Sequence, residues 1–75
     1  MNIRRLNPQK LLLSKWTAVQ PQHKEKHFIV TRLLEPEIPD SPREKIEIEA
    51  IYTRRCYILP WRDLLDERRW QQGWR

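Results

Sequence analysis

Arg68-Arg69-Trp70, followed closely by Trp74-Arg75, puts cations beside aromatic faces in one short stretch of chain. Unpaired nucleic acid requires that combination: cations for phosphates, and flat rings on which bases stack at roughly 1–3 kcal/mol each. Lys24 and Lys26 in one polar stretch, and Arg54 and Arg55 at a turn, extend the same chemistry. The expected phosphate contacts are therefore Lys24, Lys26, Arg54, Arg55, Arg68 and Arg69, with Trp70 and Trp74 as stacking or docking anchors. Trp, Tyr and Arg are also the residues that dominate protein–protein hot spots. A module that docks a protein partner, or a second copy of itself, through the C-terminal Trp/Arg segment is the alternative. Nucleic-acid binding would use the basic loops and weaken with salt; docking would use the Trp pair and resist it.

Other chemistries find little to work with. Ser14 and Ser41 stand in no nucleophile-elbow context, and a single glycine rules out a Gly-rich phosphate loop. Glu47 and Glu49 share one side of a strand, where two acids ordinarily form a solvated face. His23 and His27 have a metal-like spacing, but one lies in a loop, and a site completed by the distant Cys56 is not expected. Cys56 beside Arg54 and Arg55 could be a reactive thiol only with a lowered pKa; its place at the start of an apolar run favours packing. The expectation is a non-enzymatic binding protein with no cofactor, no metal and no small-molecule substrate.

The chain has 75 residues, enough for one small domain spanning 1–75. A chain this short buries only about 60–65% of its unfolded surface, so its core is marginal. One cysteine allows no internal disulfide, so large aromatics must supply the burial, and there are four Trp. The lone cysteine suggests a reducing compartment. No signal peptide is apparent, and the longest apolar run, Leu11-Leu12-Leu13, is far too short to span a membrane. The expected location is the cytoplasm, away from membranes. Net charge is +5, but it is zoned: basic up to Arg32, acidic from Leu33 to Ala50, basic again from Arg54.

The clearest structural signal is Lys45–Trp61. Ile46, Ile48, Ala50 and Tyr52 alternate with Glu47, Glu49 and Ile51, the period of a half-buried strand. Thr53-Arg54-Arg55 turns the chain, and Cys56–Leu59 resumes until Pro60. Lys15–Val19 and His27–Leu34 have the aromatic and β-branched character of two earlier strands, joined by a polar loop over Gln20–Lys26. Pro36, Pro39 and Pro42 make residues 35–44 an acidic surface loop. Residues 1–6 form a frayed start, and Asn7-Pro8 resembles a helix cap followed by a first-turn proline. Leu6 and Leu11 sit at hydrophobic-staple positions.

Asp63 is placed to cap a helix from Leu64, with Gly73 at its stop. On a continuous helix Trp70 would lie opposite Trp61 and Leu65. Either that helix breaks near Arg69 and the tail folds back, or Trp70 and Trp74 face a partner. The expected fold is α+β: a small four-stranded antiparallel meander curled towards a barrel, with a short N-terminal helical turn and a short C-terminal helix. Trp16, Phe28, Val30, Ile46, Ile48, Ala50, Tyr52, Ile58, Trp61 and Leu65 should form most of the core.

Four blocks in this order carry a resemblance: L-L-L-S-K-W-T-A-V-x-P, K-x-K-H-F-I-V-T, W-R-x-L-x-D and W-Q-Q-G-W. They resemble a family of small tryptophan-rich bacterial proteins, a domain of unknown function. The resemblance covers roughly Asn7–Leu34 and Ile46–Trp74 and leaves out the proline-rich loop. It implies kinship, with no activity, cofactor or partner attached.

Overall fold

The computed structural model describes residues 8–42 and 44–75. Five strands, β1 (Lys15–Gln22), β2 (Glu25–Leu33), β3 (Lys45–Ala50), β4 (Cys56–Pro60) and β5 (Trp70–Gln72), form one antiparallel sheet. Their order is β4-β3-β2-β1-β5, so the first four strands are a meander and the C-terminal strand returns to pair with β1.

The alternation in β3 dictates which face is buried. Ile46, Ile48 and Ala50 are buried, while Glu47 and Glu49 face the other way. Register carries that face across the sheet: Ile48 stands opposite Tyr57 and Val30, Ala50 opposite Phe28, and Phe28 opposite Trp16. Leu11, just after the 3-10 turn Pro8–Lys10, and Leu64, in the 3-10 turn Trp61–Leu65, cover part of this face, with Trp61 packed at its margin. A bulge between Val30 and Arg32 leaves Thr31 as the extra residue on β2. Its hydroxyl donates to Glu47 Oε2 at 2.8 Å, and Arg32 Nη2 reaches Glu47 Oε1 at 3.1 Å.

The expected α+β fold is overturned, because no α-helix occurs among the described residues. Trp61–Leu65 is a single 3-10 turn, and Asp66 leaves helical geometry at φ −80°, ψ 102°. The physical reason is Trp70. A continuous helix would point its ring away from the sheet, whereas a bend at 66–69 brings it opposite Ala18 with its ring on Phe28. Burying an indole outweighs the few hydrogen bonds of a helix too short to be stable alone. Among the described residues the sheet also does not close towards a barrel, since β4 and β5 remain its two edges. At the N-terminus the helical turn is the three-residue 3-10 segment Pro8–Lys10. The Asn7 cap, the Leu6 staple position and the frayed start over 1–6 lie outside the described residues.

Core membership shifts with the topology. Leu64 is buried and Leu65 only half-buried, because a 3-10 turn replaces the expected helix. Tyr52 lies past the end of β3 in the turn, and Ile58 alternates onto the outer face of edge strand β4; both are exposed. Leu11 and Trp70 take their places.

Gly73 ends β5 with φ +79°. Its N–H donates to the Lys15 carbonyl at 2.7 Å and its own carbonyl accepts from Thr17 Oγ1 at 2.7 Å. A Cβ there would meet nothing within 4 Å, so Gly73→Ala costs only the left-handed backbone conformation, about 1 kcal/mol. A melting temperature lower by about 4–8 °C is the expected result for a domain of this size.

Candidate nucleic-acid interface

The 3-10 turns cover only part of the buried face. The remainder is an open cleft of about 630 Å³, lined among others by Phe28, Ile48, Tyr57 and Trp70. Phe28 is the hub of its floor: the Trp70 ring meets it edge-on at 5.1 Å and the Tyr57 ring at 6.3 Å. Trp70 is 7% exposed and Tyr57 37%, so Tyr57 presents the accessible ring.

Three of the expected phosphate contacts line this cleft. Arg55 arrives from the β3–β4 turn, and Arg68 and Arg69 from the bend before β5. Asp66 fixes that bend: its Oδ1 accepts the Arg68 N–H at 3.0 Å and its carbonyl accepts the Trp70 N–H at 3.0 Å. The Arg68 N–H holds the Asp66 carboxyl below its ordinary value, helped by the Arg68 side chain and by the charge of Arg69. Arg68 also lies 3.4 Å from Asp66, and Arg69 lies 3.7 Å from Asp63. Both arginine side chains are mostly exposed, and pairs of that kind contribute little and are readily exchanged for a phosphate.

The other expected residues go elsewhere. Lys24 and Lys26 are exposed and do not line the cleft. Arg54 turns to the outer face of the sheet, where Nη1 donates to Glu49 Oε2 at 3.0 Å. Trp74 also lies on the outer face: it is 43% exposed, with Nε1 donating to the Phe28 carbonyl at 2.9 Å. The His27 ring lies 5.9 Å from it and Lys15 Nζ 4.8 Å. Trp70 and Trp74 are thus on opposite sides of the sheet and cannot act on one ligand.

Cys56 is exposed, which corrects its expected packing role. Its thiol is pushed up by desolvation and then by Glu47 and Glu49, the reverse of an activated nucleophile. His27 Nε2 lies 2.9 Å from the Arg75 carbonyl. Among the described residues, no three His, Cys, Asp or Glu side chains gather to hold a metal ion, and no helix is long and apolar enough to cross a membrane.

Sequence reasoning missed Glu25 and Tyr57. Glu25 is 5% exposed, yet it lines the cleft. The Tyr57 hydroxyl donates to its Oε1 at 2.5 Å, and the Thr53 hydroxyl donates to Oε2. Those bonds, Thr53 first, hold the Glu25 carboxyl below its ordinary value of 4.5, with Arg55 assisting. The same contact with Glu25 pushes the Tyr57 hydroxyl up, so it stays a donor.

A carboxyl depressed on folding adds stability at pH values above 4.5, and that contribution disappears as the pH falls through the folded-state value. Glu47, depressed chiefly by the Thr31 hydroxyl, and Asp66 have the same sign. Melting temperature should therefore fall as the pH drops below about 4.5. Glu25→Gln should lower the melting temperature at neutral pH and flatten that acid decline. A decline as steep in the variant as in the parent would remove Glu25 from the account.

No curated protein and no solved structure matches the chain. A family model described as Tryptophan-rich protein (DUF2389) matches residues 14–75. The match runs through the proline-rich loop that the block resemblance leaves out, and it begins at Ser14, beyond the first 3-10 turn. All four tryptophans fall inside it. The protein, with its five-stranded sheet and cleft over Phe28, belongs to this tryptophan-rich family.

Proposed function

We propose that the protein is a non-enzymatic, cytoplasmic binding protein for single-stranded nucleic acid, which it takes into the cleft over Phe28 and Tyr57. The observation that carries this reading is convergence. Arg55, Arg68 and Arg69 come from two separate turns to one mouth above an aromatic floor. Backbone phosphates would lie along the guanidinium groups and a base would enter against Tyr57. The cleft volume falls within the range of sites that hold a ligand of nucleotide size.

The rival reading, docking of a protein or a second copy through the C-terminal Trp/Arg segment, loses an anchor because Trp70 belongs to the core. It keeps Trp74 on the other face. The test is a titration with unstructured single-stranded RNA and DNA at two salt concentrations, followed by intrinsic fluorescence. Binding that weakens steeply with salt, and persists in Trp74→Ala, supports the cleft. Absence of binding at low salt removes the nucleic-acid reading. Binding lost with Trp74 moves the site to the outer face.

A further inference from the structure

Among the residues lining the cleft, Glu25 is the carboxylate and is nearly enclosed, while Arg55, which lies close enough to act on it, and Arg68 and Arg69 are exposed. A phosphate is attracted to the exposed arginines and repelled by the carboxylate, so a nucleotide enters base first with its phosphate outward. Glu25 then decides which base edge is accepted. Each carboxylate oxygen carries two lone pairs, and Tyr57 and Thr53 occupy one on each oxygen. The remaining lone pairs form an acceptor fork with no donor capacity.

We propose that the cleft selects guanine, whose Watson–Crick edge offers two adjacent donors, N1–H and the 2-amino group, to the Glu25 fork. This rests on the nucleic-acid reading of the same cleft and narrows it to guanine-containing single strands. The other bases offer the fork a poorer edge. Uracil and thymine flank a single N–H with two carbonyls, which the carboxylate repels. Adenine and cytosine each pair one amino donor with a ring-nitrogen acceptor. Tyr57 supplies the ring against which the base lies, and its hydroxyl locks the carboxylate in place. The depressed pKa of Glu25 keeps the fork ionised and acceptor-only at neutral pH.

The experiment compares short oligouridylates that are identical except at one central position, which is uridine, guanosine, adenosine or inosine. Affinities are read by fluorescence anisotropy at low salt, well below the melting temperature. Guanosine should tighten binding about tenfold over uridine, and inosine, which lacks only the 2-amino group, should lose most of that gain. Glu25→Gln should bind the guanosine and uridine strands with equal affinity. Equal affinities for all four strands, or a preference that survives Glu25→Gln, overturn guanine selection while leaving the nucleic-acid reading in place. Failure of every strand to bind overturns both. The inosine comparison uses the unaltered chain, so it remains decisive if Glu25→Gln does not fold.

Discussion

Trp16→Ala should abolish most of the stability of the domain. The indole is 0% exposed, opposite Phe28 in the register of β1 with β2, and its Nε1 donates to Ser14 Oγ at 2.8 Å. Replacing a buried Trp by Ala costs about 3–5 kcal/mol. A chain of this length has about 4–11 kcal/mol in total, so the variant retains little or nothing. The loss cannot be absorbed by collapse, because the sheet is one layer and the same face holds Leu11, Leu64 and Trp70 in place. Urea or thermal denaturation followed by far-UV circular dichroism reads it directly. Trp61→Ala should cost clearly less, since Trp61 is only half-buried, with Arg62 laid over its ring at 5.2 Å. A Trp16→Ala protein that melts as high as the parent would show that the core is organised elsewhere.

The strand pattern was legible where burial follows local alternation. Ile46-Glu47-Ile48-Glu49-Ala50 declares both faces of β3, and Phe28 and Val30 declare the inner face of β2. What stayed hidden depends on positions far apart in sequence. His23 and Lys24 make the β1–β2 turn with φ of +54° and +62°, a conformation in which Gly or Asn is expected, so Gln20–Lys26 reads as a loop. Pro21 deepens the disguise. It is tolerated in β1 because β5 pairs only with Trp16–Ala18, leaving that end of the strand an edge. The tail presents helix signals from Asp63 to Gly73, and only the burial of Trp70 against Phe28 overrules them.

The cleft was half legible for the same reason. Arg55, Arg68, Arg69 and Trp70 stand out as cations and an aromatic wherever they lie. Glu25, between Lys24 and Lys26, reads as one more solvated charge. Its burial comes from Thr53 and Tyr57, 28 and 32 residues further on, and neither partner carries a local mark. The Lys24/Lys26 and Arg54 assignments failed to join the cleft because charge type predicts chemistry but not direction. Arg54 has φ +65°, and its side chain goes to Glu49 on the outer face while its neighbour Arg55 lines the inner one.

That divergence makes the charge experiment discriminating. Arg55→Gln/Arg68→Gln/Arg69→Gln should weaken single-strand binding most at low salt and progressively less as salt is raised. Each phosphate contact contributes about −0.7 to the slope of log K against log salt for single strands, so three lost contacts flatten it by about 2. At a salt tenfold below the point where the two lines meet, the affinities should then differ by about 100-fold. The fold should survive, because the largely exposed side chains of Arg68 and Arg69 pair with Asp66 and Asp63 at the surface, and Arg55 ranks behind Thr53 and Tyr57 in holding Glu25. A matched triple, Lys24→Gln/Lys26→Gln/Arg54→Gln, removes the same net charge from residues that do not line the cleft. It should shift affinity modestly through the long-range field and leave the slope close to that of the parent. Equal slopes for the two triples would mean that binding reads net charge alone, and the cleft would lose its claim as the site. A flattened slope in the first triple only would place the phosphates at its mouth, since screening acts alike on every exposed cation and geometry alone distinguishes the two sets.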